Sequence, residues 1–363
     1  MTYLDANATQ PLRPEARAAV LAALALTGNP SSVHAAGRAA RRVLETAREA
    51  VAARFGAAPA DLVFTSGGTE ADALAIHALG AGLRLIVGAT EHDAVRAAAP
   101  GAAVLPVDGH GVADLDALAR LLREGPALVC LMLANNETGT LQPVREAAAL
   151  CRAAGARLHV DAVQAAGRIG VDLRDLGADS LALSGHKLGG PQGAGALLLA
   201  PGHTLAPLIA GGGQERGRRG GTPALPAIAG LAAAAAQTAP PLAPHAALAP
   251  LRDAAEQAAL AAGAIVIGAG APRLPNTTCL ALPGVRADTQ VIALDLAGIQ
   301  VSAGAACSSG KVARSHVLAA MGLDALAGEA IRVSLPWNAA AADIAAFAAA
   351  YQAMAARLSR RAA

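Results

Sequence analysis

Between residues 62 and 199, short apolar runs alternate with stretches whose apolar positions recur at helical spacing. The runs at 62–65, 84–88, 103–107, 127–133, 156–160, 180–183 and 194–199 read as strands, and 69–79, 114–123 and 144–154 as helices. Helical patterns precede them at 14–26 and 39–55. Strand–helix alternation of this kind predicts an α/β fold on a mostly parallel sheet with both faces covered. The character changes after Gly211-Gly212-Gly213. An alanine-rich helical stretch at 227–237 runs toward Pro240, Pro241, Pro244 and Pro250, which break helices and predict a domain boundary. Beyond it, strands at 265–267, 277–282 and 330–335 and helices at 287–297 and 343–358 predict a smaller α+β domain. The chain thus divides into a large domain, residues 12–245, and a small one, residues 1–11 with 246–363.

Composition narrows function more than fold. Hydrophobic residues are 54% of the chain and aromatics only 2%, so the core is built from Ala, Leu and Val and few rings are offered to stack bases. A net charge of +2 supplies no long-range field for nucleic acid, which is set aside as a partner. The N-terminus has neither the basic segment nor the apolar run of a secretory signal. Apolar stretches around 224–236 and 339–356 are interrupted by Pro226, or by Asp343 and Gln352, so neither reads as a membrane span. Cys130, Cys151, Cys279 and Cys307 show neither CxxC pairing nor metal-ligand spacing, which suits reduced thiols in a cytoplasmic protein without a metal.

The chemistry-bearing residues sit where apolar runs end, and open α/β sheets bind ligands at the carboxyl ends of their strands. Ser184-Gly185-His186-Lys187 lies between such a run and a Gly-Pro loop. Low dielectric there disfavours the ammonium and leaves a nucleophilic amine able to form a Schiff base; a solvated loop lysine is the plainer alternative. Ser66-Gly67-Gly68-Thr69 follows a strand and opens a helix, where free N–H groups and the helix dipole would hold a phosphate. An ordinary cap, Thr69 with Asp72 three residues on, is the competing reading. The Lys-Ser/Thr of a nucleotide P-loop is missing. His92 follows another short strand, and Asn135-Asn136-Glu137 set three polar groups at a buried strand end, where they need partners. Asp161, followed by Gln164, ends a strand beside that of Lys187. It either pairs with Lys187 or faces the pyridinium nitrogen of pyridoxal 5'-phosphate. Lysine, aspartate and a phosphate-holding helix start in one α/β domain fit that cofactor better than a nucleotide.

Over nearly its whole length the chain resembles the cysteine desulfurases, the NifS/IscS-like members of the class V aminotransferase group of fold-type-I pyridoxal-phosphate enzymes. The matching words are Tyr3-Leu4-Asp5 with Ala8-Thr9, Gly28-Asn29-Pro30-Ser31-Ser32, Phe64-Thr65-Ser66-Gly67-Gly68-Thr69-Glu70, Thr90-Glu91-His92, Asn135-Asn136-Glu137, Asp161 with Gln164, Ser184 to Lys187, Arg216 with Thr222, Cys307 and Arg332. The resemblance implies that Lys187 holds the cofactor aldehyde and later moves the substrate's alpha proton. It implies Asp161 at the ring nitrogen, Gln164 near the phenolic oxygen, and His92 stacked on the ring and assisting proton transfer. Gly68, Thr69, Ser184 and His186 would contact the phosphate, joined by Thr222 from the second subunit of a homodimer. Asn136, also near the cofactor, and Arg332 would hold the carboxylate of L-cysteine, a task that suits a guanidinium fork.

Cys130, Cys151 and Cys279 lie in apolar strands or helices and read as small buried fillers. Cys307 lies among small residues without a core pattern, which predicts a mobile exposed loop. In the family the matching thiolate takes the substrate's sulfur as a persulfide, alanine leaves, and the loop carries the sulfur to an acceptor protein, with transient ligation of an iron–sulfur cluster as a further capacity. The run 307–316 resembles the branch with an extended loop. The chain departs from its relatives at Ala73, where asparagine is common, at Gln10, where a second threonine is usual, and at Pro336, where glycine often follows. A selenocysteine lyase or other class V enzyme is the nearest alternative, and a partner-binding relic of the fold the more distant one. Retention of Lys187, Asp161, His92 and Cys307 together argues against the relic.

Overall fold

A computed structural model describes residues 1–238, 246–304 and 314–362, so Cys307 and most of the run around it lie outside the described residues. The strands are β1 (Thr2–Tyr3), β2 (Leu62–Thr65), β3 (Arg84–Gly88), β4 (Ala103–Leu105), β5 (Ala127–Cys130), β6 (Arg157–Asp161), β7 (Ser180–Ser184), β8 (Gly195–Leu199), β9 (Ile265–Ile267), β10 (Thr277–Ala281), β11 (Ile299–Gln300), β12 (Ser302–Ala303) and β13 (Ala330–Ser334). Seven of them form one sheet in the order β2-β8-β7-β6-β5-β3-β4, and only β8 runs antiparallel to its neighbours. Alternate residues leave its strands toward opposite faces. Leu62, Phe64 and Leu198 enter one apolar cluster while Val63, Leu197 and Leu199 enter another. This is why the strands read as unbroken apolar runs.

On the first face the helix Leu225–Ala236 packs against Pro14–Leu24 and Ala35–Arg54. The second face is covered by Gly68–Leu79, which also packs on Asp93–Ala98. Alanine and glycine allow close approach: a Cβ on Gly195 would lie 2.5 Å from the Gly67 carbonyl carbon. The β8 backbone therefore presses directly on the turn that opens the helix Gly68–Leu79.

The remaining strands build a separate antiparallel sheet, β12-β13-β10-β9, and a short parallel pair, β1-β11. Leu4 joins residues from Leu248 to Ala355 in the cluster beneath them. Pro250, expected to break a helix, instead stands in the first turn of Ala249–Ala261, where its missing N–H costs nothing. Pro240, Pro241 and Pro244 lie outside the described residues. No helix among the described residues is long and apolar enough to cross a membrane.

One buried ion pair ties the sheet to a strained segment. Glu215 and Arg216 have φ of 48° and 60°, a left-handed backbone that side-chain-bearing residues avoid. The Glu215 carboxylate accepts both Arg48 nitrogens, at 2.7 and 2.9 Å, and the Phe64 N–H at 3.0 Å. Arg48 also donates to the Leu62 carbonyl at 3.0 Å. Removing the carboxylate leaves the buried guanidinium with only the partly exposed Glu45, 3.1 Å from its Nε, as counter-charge, so the loss falls at the lower end of the about 3–5 kcal/mol of a broken buried pair. Glu215→Ala is therefore expected to lower the unfolding free energy by about that much in urea denaturation at neutral pH; a loss below about 1 kcal/mol, the scale of an exposed pair, would contradict it.

Candidate active site

The carboxyl ends of β6 and β7, the first turn of Gly68–Leu79, the loop after β5 and the N-terminal residues Asn7 and Ala8 enclose a cleft of about 490 Å³. Lys187, Asp161, His92, Gly68, Thr69, Asn136, Gln164, Ser184, His186 and Arg332 all line it. Thr222 is exposed elsewhere on this chain and does not.

Lys187 sits half-buried in the 3-10 turn Gly185–Lys187 that follows β7. Its amine donates to the backbone carbonyls of Asn7 and, at 2.9 Å, Ala8. Burial first, then the charges of Arg332 and Arg168, lower it from 10.5 to about 7, against the opposing pull of Asp5 and Asp161. No ion pair joins Lys187 to Asp161 among the described residues. The Asp161 carboxylate instead accepts the Val163 N–H at 2.8 Å, and burial with the nearby Asp72 raises it to about 7.

Behind Asp161 the site is polar without being solvated. His159, two residues earlier on the same strand, is fully buried, with Nδ1 2.8 Å from the Ser180 hydroxyl and Nε2 3.1 Å from the Asp72 carboxylate. Burial pushes Asp72 up to about 8 and His159 down to about 4, so it favours the uncharged form of both. Asp72 is thereby accounted for, and the expected cap does not form. The N-cap is Gly67, with no side-chain bond, and Thr69 lies inside the helix. The Glu70 carboxylate reaches back to the Ser66 N–H at 2.8 Å. First-turn N–H groups without a side-chain cap point toward anions, and Thr69, Ser184 and His186 add further donors around them.

His92 caps Asp93–Ala98 by accepting the Ala94 N–H on Nδ1 at 3.1 Å, which leaves the proton of its neutral ring on Nε2. Arg332 donates to the Asn136 carbonyl at 3.1 Å and pairs with Asp5 at 2.6 Å, while its buried Nε has no partner among the described residues. Asp5, Asn7, Arg168 and the Asp72–His159 pair are absent from the residues that sequence reasoning singled out for chemistry. A histidine inside an apolar strand, two positions before the key aspartate, was the one visible signal.

Glu137 is buried and raised by burial above the usual carboxylate range. It accepts the Ser315 hydroxyl at 2.6 Å, just beyond the segment that carries Cys307. Cys130, Cys151 and Cys279 are buried.

The family described as aminotransferase class-V matches residues 2–347. A cysteine desulfurase of Cereibacter sphaeroides is 46% identical over 359 residues, covering 94% of this chain and 92% of its own length. A NifS-like protein from Rickettsia africae superimposes with a TM-score of 0.90 at 33% identity, covering 98% of this chain and 99% of its own. SspA, solved in complex with cysteine, gives a TM-score of 0.76 at 28% identity, over 93% of this chain and 99% of its own.

The lysine carries a signed pH dependence. Between about 7 and 10.5 the unfolded chain binds a proton at Lys187 that the folded apoprotein does not. Stability contributed there is full above 10.5 and lost as pH falls toward 7. Relative to Lys187→Met, the wild-type apoprotein should lose up to about 1.4 kcal/mol per pH unit on descending through that window. Urea denaturation of both proteins at several pH values reads the difference, and parallel stability curves would refute it.

Proposed function

The chain belongs to the aminotransferase class-V family and, within it, to the cysteine desulfurases, and we propose that its cleft binds pyridoxal 5'-phosphate and converts L-cysteine to L-alanine with transfer of sulfur to Cys307. The observation that carries the cofactor is the opposition of Lys187 and Asp161 across one cleft. A half-buried amine lowered to about 7 faces a buried carboxyl on the neighbouring strand, and the two do not pair. An aldehyde that also bears a basic ring nitrogen and a phosphate satisfies both groups, together with the uncapped helix start. When bound, this cofactor supplies an electron sink for charge developing on the substrate.

The chain's own groups do the rest. Lys187 binds the aldehyde and then carries the substrate's alpha proton. Asp161 holds a proton on the ring nitrogen, and Gln164 donates toward the phenolic oxygen. Gly68, Thr69, Ser184 and His186 take the phosphate. Thr222, exposed on its own chain, completes that set from a second copy, so the working form is a homodimer. His92 covers the ring and passes protons through Nε2. Asn136 and Arg332 orient the substrate carboxylate, and the unpartnered Arg332 Nε leaves a hydrogen for it. The Cys307 thiolate attacks the substrate's sulfur. As the S–S bond forms the C–S bond breaks, its electron pair goes to the substrate, and protonation there gives alanine. The sulfur remains as a persulfide for an acceptor protein, a chemistry suited to reduced thiols in the cytoplasm. In this reading residues 12–245 form the cofactor-binding domain, and residues 1–11 with 246–363 the domain that carries Cys307.

Mixing the purified holoenzyme with cysteine in a single turnover, while following cofactor absorbance, alanine and protein-bound persulfide, tests the assignment. Lys187→Ala is expected to abolish turnover. Cys307→Ala should stay yellow and change its spectrum with cysteine, but form no persulfide. Sulfide production by Cys307→Ala at the wild-type rate would sink the nucleophile, and a spectral change without persulfide in the wild type would point to another class V reaction.

A further inference from the structure

Arg168 is buried, with 2% of its surface exposed, yet no carboxylate pairs with it among the described residues. Its donors go to neutral oxygens: one nitrogen to the backbone carbonyl of Gln164 at 2.8 Å and to the Gln164 side-chain oxygen, another to the Ala6 carbonyl at 3.3 Å. Its Nε is buried without a partner among the described residues. A buried cation without a counter-ion is costly, and a methionine of similar volume would pack there without that cost. Its neighbours show what such a charge can do there.

Those neighbours lead to the catalytic lysine. The Gln164 oxygen, taken by Arg168, turns the amide nitrogen toward the Asn7 carbonyl, 3.0 Å away. The same Asn7 carbonyl, with that of Ala8, receives the Lys187 amine. Arg168 therefore grips the strap of residues 6–8 at Ala6 directly and at Asn7 through Gln164. We propose that Arg168 is a positioning residue for Lys187: it pins Gln164 and the strap whose carbonyls receive the lysine amine, and it sets a fixed positive charge beside that amine. The charged and titratable groups around Lys187 are Asp5 on the N-terminal segment, Asp161 at the end of β6, Arg168 beyond it, Arg332 on β13 and His186 on its own turn. Two of the cations, Arg332 and Arg168, oppose protonation of Lys187, and Arg168 alone of these two has no carboxylate to offset its charge. The functional weight of the proposal rests on Lys187 being the cofactor-binding amine, whereas its test reads the apoprotein without turnover.

The chain has two lysines, Lys187 and Lys311, so apoprotein labelled with 13C and 15N at the lysine side chain gives two signals, told apart by Lys311→Arg. In the wild type, Lys187 should titrate well below Lys311; a shared, ordinary midpoint overturns the proposal at once. Arg168→Met is expected to raise the Lys187 midpoint by about one pH unit, because a neighbouring cation is removed and water gains access, while Lys311 does not move. Arg168→Gln, neutral and still able to donate a hydrogen bond, gives the same reading if the methionine variant lacks a cooperative melt. Arg168→Lys restores the charge and should return the midpoint toward the wild type. A cooperatively folded neutral variant with an unmoved Lys187 midpoint overturns the proposal, as does a lysine variant displaced as far as the methionine one. A purely structural arginine would lower the melting temperature and leave the midpoint alone.

Discussion

Two cations, Lys187 and Arg332, line one cleft with a third, Arg168, buried behind its edge, and the backbone of residues 5–9 is what lets them coexist. Carbonyl oxygens of Ala6, Asn7 and Ala8 take hydrogens from Arg168 and Lys187, and the Asp5 carboxylate takes Arg332. The strap is itself held from several sides. The Tyr3 hydroxyl donates to the carbonyls of Asp5 and Thr9 at 2.9 and 2.7 Å, and the Asn7 N–H donates to the Ser334 hydroxyl at 2.9 Å. The Gln10 side-chain oxygen accepts the Trp337 N–H at 3.1 Å, so one departure from the family pattern is bonded to the residue that follows another, Pro336. The turn at residues 6–8, closed by the Ala8 N–H on the Asp5 carbonyl at 3.0 Å, suits this task because it offers successive carbonyls without adding net charge.

The strap also explains how the two apolar clusters meet at a polar site. Leu4 is buried in the cluster of the antiparallel sheet, while Arg13, a few residues later, donates to the Leu188 carbonyl beyond the Lys187 turn. The chain's first residues thus cross from one body to the other directly over the cleft. Asn7 reaches both, through the Asn136 carbonyl and the Thr277 hydroxyl, each at 3.1 Å. Any shift between the two bodies would move Arg332 relative to Lys187 through bonds made by this segment.

Local chemistry made much of this legible. Strands such as β2 and β8 are unbroken apolar runs because both sheet faces are covered, and Asp161 at the end of β6 and Lys187 just beyond β7 stand where sequence position indicated. Pairings between distant residues were not legible. Asp72 and His159 are 87 positions apart, and Asp5 and Arg332 are 327 apart. Read locally, Asp72 offers itself to the helix start three residues back; in the fold, a buried imidazole competes for the same carboxylate and wins, because a polar group inside the sheet layer has no water to turn to. Arg168 was invisible for a related reason. A lone arginine after Ala165-Ala166-Gly167 looks solvated, whereas in the fold it is buried and one of its partners is the Ala6 carbonyl of the strap, 162 positions away.

The cleft is divided by charge in a way that constrains what can fill it. On the β6 side, Asp72, Glu91 and Asp161 are buried together, and each is raised by burial and by its fellows or by burial alone. They cannot all ionise at neutral pH, so that side favours a positive or proton-donating group. The strap side carries Lys187, Arg168 and Arg332, whose mutual repulsion favours an anion or a neutral amine. A ligand carrying one charge would relieve one side and worsen the other. An occupant with a protonated ring at Asp161, a carboxylate at Arg332 and a neutral carbon–nitrogen linkage or amine at Lys187 relieves both. The cofactor and amino-acid substrate proposed for this cleft together have that polarity, which neither a simple anion nor a simple cation has.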